Sequence, residues 1–301
     1  MARLLFGIGA RGPLILELQA ALKNKGFDPK GADGQFGRDT EAAVKGYQSS
    51  VAHPATGGVT DEEWTPLTGT PVPGMEARCL QLTATFEGHG YTLAKGNWDD
   101  AWVTWGIIGF TLKHGEIQKI VLGVEQKAPA RIQEAFGADA DALLEVMRAS
   151  PPEQEAWANR ITVGAALAEP WRTEFQWFGS FPEVQAEQRM IAHADYFVPA
   201  ARTAGELKLA SELGLALCFD IQVQNGGVKQ ETRQAVAPLL GSADELAIRE
   251  AVANGAADTA KPKYREDVRA RKLAIARGEG VVHGRKVILA NWGLAAVPAD
   301  E

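Results

Sequence analysis

Residues 82–111, LTATFEGHGYTLAKGNWDDAWVTWGIIGFT, constrain this chain more than any other stretch. An apolar run of helical character ends on a single acid, Glu87. A short loop rich in Gly and Asn follows, then Asp99 and Asp100, then a run dense in β-branched and aromatic residues. Helix, loop, carboxylate and strand in that order can face two carboxyl groups across a cleft. Cutting a glycosidic bond needs such a pair: one acid to protonate the leaving oxygen, one carboxylate to activate water or attack. Spacing alone does not select that chemistry, because Asp and Glu mostly solvate surfaces.

The segment resembles the catalytic segment of family 46 glycoside hydrolases, the chitosanases of the lysozyme superfamily. In that family an acid closes a helix, and an Asp precedes a strand ending in Thr-x-Gly-Ile-Ile-Gly-Phe. Here Thr104-Trp105-Gly106-Ile107-Ile108-Gly109-Phe110 matches the pattern without a break. The resemblance implies Glu87 as general acid and Thr104 as the residue that positions water. Counting back from Gly106, it implies Asp99 rather than Asp100 as general base. The loop between the two acids is shorter than a chitosanase's, which implies a differently shaped substrate cleft.

The first ~70 residues read as a compact three-helix unit. Pro13 fits the first turn of a helix whose inner face is Leu14, Leu18, Ala21 and Leu22, and Gly26 closes it. The tight turn ADGQFG spans 32–37, and Asp39 or Thr40 can cap a second helix carrying Ala43, Val44 and Tyr47. Thr60 with Glu63 forms a capping box ahead of Trp64 and Leu67. The order of Gly, Leu, Phe, Asp-Gly and Tyr-Gln signals from residue 9 to 48 is similar to the peptidoglycan-binding domains of cell-wall hydrolases. Most of those residues are core. Asp33, Gln35 and Arg38 are the exposed candidates for contact with peptidoglycan that the resemblance implies.

A Pro- and Gly-rich stretch, TGTPVPG, then separates this unit from the remainder. The expected organisation is a binding domain at 1–69, a linker at 70–75 and a catalytic domain at 76–301. Within the last, 115–122 begins a helix, 130–148 reads as one longer amphipathic helix, and Pro151-Pro152 stops it. Trp171, Phe175, Trp177, Phe178 and Phe181 read mainly as core, with one or two available to stack on a sugar. A helix over 183–196 leads into YFVPAA. The stretch 214–227, GLALCFDIQVQNGG, resembles the family's buried helix that carries an Asp, here Asp220. A carboxylate in an apolar helix must find cations or hydrogen bonds, or take up a proton. The resemblance implies arginines from the last helices as its partners: Arg285, and Arg271 with Arg269 competing.

Composition excludes other classes. The 301 residues are 46% hydrophobic and 23% charged, ordinary for a soluble globular protein. No apolar run approaches the ~20 residues of a membrane span. The net charge of −7 argues against nucleic acid as a partner. It divides as 7 Lys and Arg against 8 Asp and Glu through residue 70, with the remaining −6 beyond. Cys79 and Cys218 stand far apart in apolar surroundings and read as buried free thiols. The five histidines make no metal-ligand spacing, so neither metal nor cofactor is expected.

The expectation is therefore an α+β, mainly α protein: a small three-helix binding domain and a lysozyme-like domain with a short β-sheet. Its expected activity is inverting hydrolysis of the glycan strand of bacterial peptidoglycan by a monomer. Chitosanase, lytic transglycosylase and non-catalytic wall anchor are the alternatives. The start of the chain, MARLLFGIGARGP, holds too short an apolar run for a signal peptide. A protein made in the cytoplasm and released to the periplasmic wall fits a phage endolysin or a secreted effector.

Overall fold

The computed structural model describes residues 2–88, 90–97, 100–241 and 244–299. In chain order the elements are β1 (Leu4–Phe6), α1 (Pro13–Asn24), α2 (Arg38–Ser50), β2 (Val59–Thr60), α3 (Asp61–Thr68) and α4 (Met75–Glu87). Next come β3 (Ala94–Lys95), β4 (Thr104–Trp105), β5 (Phe110–Thr111), α5 (Glu116–Lys127), α6 (Pro129–Phe136), α7 (Ala140–Arg148) and α8 (Pro151–Arg160). A ribbon, β6 (Thr162–Val163) and β7 (Ala166–Leu167), precedes α9 (Trp171–Phe178) and α10 (Pro182–Ala192). A π-helical turn at His193–Phe197 leads to α11 (Val198–Glu206), α12 (Glu212–Asn225), α13 (Gln230–Val236), α14 (Glu245–Asp258) and α15 (Arg265–Arg277). A hairpin of β8 (Glu279–Val282) and β9 (Arg285–Ile288) ends the regular structure. The fold is mainly α with few, short strands.

The chain packs as two compact units, one of Met1–Thr85 with Tyr196–Glu301, the other of Phe86–Asp195. In the first, α1 begins at Pro13 and α3 at a complete Thr60–Glu63 capping box, as the sequence leads one to expect. The second helix differs. It starts at Arg38 behind Gly37, and Thr40 is turned inward, where Gln19 Nε2 donates to its hydroxyl at 3.0 Å. Trp64 is fully buried against Phe6 with ring centroids 5.4 Å apart. Burying a side chain of that size contributes about 3 kcal/mol.

The first 70 residues are also bound to the C-terminal segments of their own unit. Gly7 N donates to Asn291 O at 3.2 Å, and Asn291 Nδ2 donates to Ile8 O at 2.7 Å. Arg3 and Arg78 both reach the wholly buried carboxylate of Glu212, Arg78 at 2.9 Å. Helix α3 ends at Thr68 and α4 begins at Met75.

The second unit is organised on an aromatic core. Trp105 of β4 stacks on Phe178 at 5.5 Å, and Phe136 meets Phe175 and Phe178 edge-on, each at 5.2 Å. The expected single helix over 130–148 is two, because Gly137 turns the chain at φ +50° between α6 and α7. Pro151-Pro152 does not merely stop a helix: it opens α8, behind a Ser150–Glu153 capping box. Proline in a first helical turn lacks only an N–H that would have had no partner there. The expected helix over 183–196 ends at Ala192, and the π-helical turn takes over.

Candidate active site

α4 carries Glu87 as its last residue. The helix is buried from Arg78 through Ala84, then emerges, so Glu87 is partly exposed. Gly88 ends it at φ +67°, a left-handed conformation that glycine adopts without steric cost.

The three-stranded antiparallel sheet β3–β4–β5 supplies Thr104. Its register sets Lys95 opposite Thr104 and Thr104 opposite Thr111, with Ala94, Trp105 and Phe110 on the alternate rung. The Trp-Gly-Ile-Ile-Gly-Phe motif is thereby explained. Gly106 and Gly109 turn the β4–β5 hairpin at φ +86° and +72°, while Trp105 and Phe110 face the core at 0% exposure. A Cβ on Gly106 would lie 2.5 Å from Gln188 Oε1. That amide accepts from Ile107 N at 3.0 Å and donates to Tyr91 O at 3.0 Å, so α10 straps the hairpin to the loop after Glu87. Thr104 is 9% exposed.

Asp99 lies outside the described residues. Its neighbour Asp100 does not belong to a strand: Asp100 and Trp102 are both left-handed at φ +67°, and β4 begins only at Thr104. Residues 100–103 approach the sheet outside any strand. Asp100 is exposed and pairs with Lys113. Asn97 secures the same turn, its Oδ1 accepting from Trp102 N at 3.1 Å and its Nδ2 donating to Asn159 at 2.8 Å.

In the other unit Asp220, at 0% exposure on α12, meets Arg271 in a two-pronged pair, Nε to Oδ2 at 2.9 Å and Nη2 to Oδ1 at 2.6 Å. Lys272 Nζ adds an ion pair and donates to Asp220 O at 3.1 Å, and Thr83 Oγ1 donates to Oδ1 at 3.0 Å. Burial pushes the carboxyl up, but Arg271 and Lys272 outweigh it and hold the group down at about 2. Thr83 lies on α4, so this network ties α12 and α15 to that helix.

Arg285 is not brought to Asp220; it is exposed on β9, and its charge is felt by Arg11. Arg269 binds Asp258 at 2.7 Å instead. Lys272 went unread in the sequence, though a signal existed: Val268, Arg271, Lys272 and Ile275 keep the spacing of one helix face, and all four are buried.

In the candidate peptidoglycan turn, Asp33 Oδ1 accepts from Gln19 Nε2 at 3.0 Å and Gln35 N at 2.9 Å, bonds that shape the turn. Gln19, and after it Gln35, hold the Asp33 carboxyl below its usual range. Gln35 and Arg38 are exposed. Cys79 and Cys218 are buried free thiols, and burial pushes Cys218 up to about 12. Among the described residues no three His, Cys, Asp or Glu side chains gather as a metal site, and no helix is long and apolar enough to cross a membrane.

Comparison of the sequence with curated proteins gives no match. A chitosanase complex shares the fold at TM-score 0.51 and 18% identity, over 71% of this chain and 95% of that one. Native chitosanase from Bacillus subtilis MY002 aligns at TM-score 0.49 and 17% identity, over 68% and 86%. A Gynuella sunshinyii family 46 chitosanase in complex with chitotetraose aligns at 0.47 and 16%, over 71% and 97%. Residues 11–67 match the family described as "Putative peptidoglycan binding domain". The chain thus joins a segment that matches a peptidoglycan-binding family model to a fold shared with chitosanases.

Proposed function

We propose that the protein hydrolyses the glycan strand of bacterial peptidoglycan at the β-1,4 bond between muramic acid and glucosamine. The observation that carries this reading is the peptidoglycan-binding match at 11–67 in a chain with a chitosanase-like fold. Glu87 donates its proton to the leaving glycosidic oxygen. Asp99 takes a proton from a water held by Thr104, and that water attacks the anomeric carbon from the opposite face, inverting it. Asp220, Arg271 and Lys272 form a supporting network on α4, and residues 1–69 hold the wall, with Asp33, Gln35 and Arg38 at the contact. The protein works as a monomer, on the periplasmic wall after release by a phage holin or a secretion system.

Chitosan is the second reading, favoured by the identity of the similar structures. Mass spectrometry of digested peptidoglycan decides between the readings. Reducing muramic-acid ends are expected. Anhydro-muramic ends would replace hydrolysis by transglycosylation, and cleavage of chitosan with none of peptidoglycan would replace the substrate.

A further inference from the structure

Of the nine Lys and Arg side chains in the second unit, six are matched. Lys113, Lys119, Lys127, Arg131, Arg148 and Arg172 each pair with a carboxylate. Among the described residues three cations of this unit have no such partner: Lys95, Arg160 and Arg189. All three border the short segment that leaves Glu87. Lys95 ends β3 and stands directly across the sheet from Thr104. Directly opposed residues of an antiparallel pair project from the same face, their Cβ atoms about 4.5–5.5 Å apart. The half-buried Lys95 stem therefore runs beside Thr104.

Arg189 is exposed on α10, and its guanidinium lies over the Tyr91 ring at 5.9 Å while donating to Tyr91 Oη at 3.3 Å. Tyr91 itself is fixed through its carbonyl, which accepts from the buried Gln188. The guanidinium is thus held in place yet keeps donors facing solvent. Arg160 follows Asn159, whose side chain holds Asn97 of the same segment.

Two cations, Lys95 across from Thr104 and Arg189 held on Tyr91, repel a polycation such as chitosan and attract carboxylate. We infer that Lys95 and Arg189 select a carboxylate-bearing glycan, binding the acidic groups that peptidoglycan carries and chitosan lacks. This rests on the peptidoglycan reading and sharpens it. Two sources supply the same chemistry: the carboxylates of the stem peptide, and the lactyl carboxylate of muramic acid freed when the stem is removed.

The test compares KM and kcat for four substrates: intact glycan strands, strands stripped by an amidase, and each of these after carbodiimide amidation of its carboxyl groups. The unmodified protein is expected to show a KM about tenfold or more lower for carboxylate-bearing strands than for amidated ones, narrowing as salt rises. A preference kept by stripped strands assigns the lactyl group, and one lost on stripping assigns the stem. Lys95→Met with Arg189→Met should erase the KM ratio, and Lys95→Arg should restore the part due to Lys95. Equal KM on native and amidated strands would overturn the inference alone. Cleavage of chitosan without peptidoglycan would overturn the substrate reading first and this inference with it.

Discussion

Two carboxyl groups show what sets charge in this molecule. Asp220 is wholly buried yet held at about 2, while Glu174 is only partly buried and rises to about 7. Burial pushes both up. The difference is company: Asp220 has Arg271, Lys272 and Thr83, whereas Glu174 has the carboxyl of Asp139, and its Oε2 is buried without a hydrogen-bond partner. Partners, not depth, decide the protonation state here.

Asp220→Asn should break this contrast most severely. It leaves Arg271 and Lys272 buried beside a neutral amide, a loss of about 3–5 kcal/mol that denaturant unfolding would read. The parent's contribution from this group is present above the ordinary 3.8 and lost as pH falls towards about 2, because the folded state binds the proton more weakly. The variant should lack that acid-side loss. Arg3→Ala comes next. It removes one of the two cations on Glu212 and a bond to Gly293 O, costing about 1–3 kcal/mol. A melting temperature unchanged in Arg3→Ala would mean that Arg78 alone suffices for Glu212.

Glu174→Gln should have the smallest effect, and the opposite sign. The folded state holds the Glu174 proton more tightly than the ordinary 4.5, so its ionisation destabilises the fold as pH rises through 4.5 towards about 7. Gln keeps the neutral form. A modest rise in melting temperature is expected at about pH 8, vanishing at about pH 4. A fall at about pH 8 would show that the carboxylate has a cationic partner after all.

The fold was legible where one residue dictates one conformation. Pro13 and the Thr60–Glu63 box both act as their local chemistry requires. It was illegible where tertiary partners override local preference. Asp100 takes a left-handed turn that strand periodicity would not suggest, and β1 is a strand only because β2 lies beside it. Of the supporting residues, Asp220 was readable as a buried acid, while its arginine stayed open among Arg285, Arg271 and Arg269. Lys272 was obscured by the habit of reading lysine as surface, and the pairing of Glu212 with Arg3 spans 209 residues and left no local mark.

The central claim, that Glu87 is the acid of a glycan hydrolase, is tested most directly by Glu87→Gln. The change is nearly isosteric and removes only the donated proton. Turbidity loss of purified peptidoglycan should slow by roughly 10²–10⁴-fold or more, with circular dichroism and sedimentation with sacculi unchanged. Turnover within a few-fold of the parent, with the fold intact, would contradict the account.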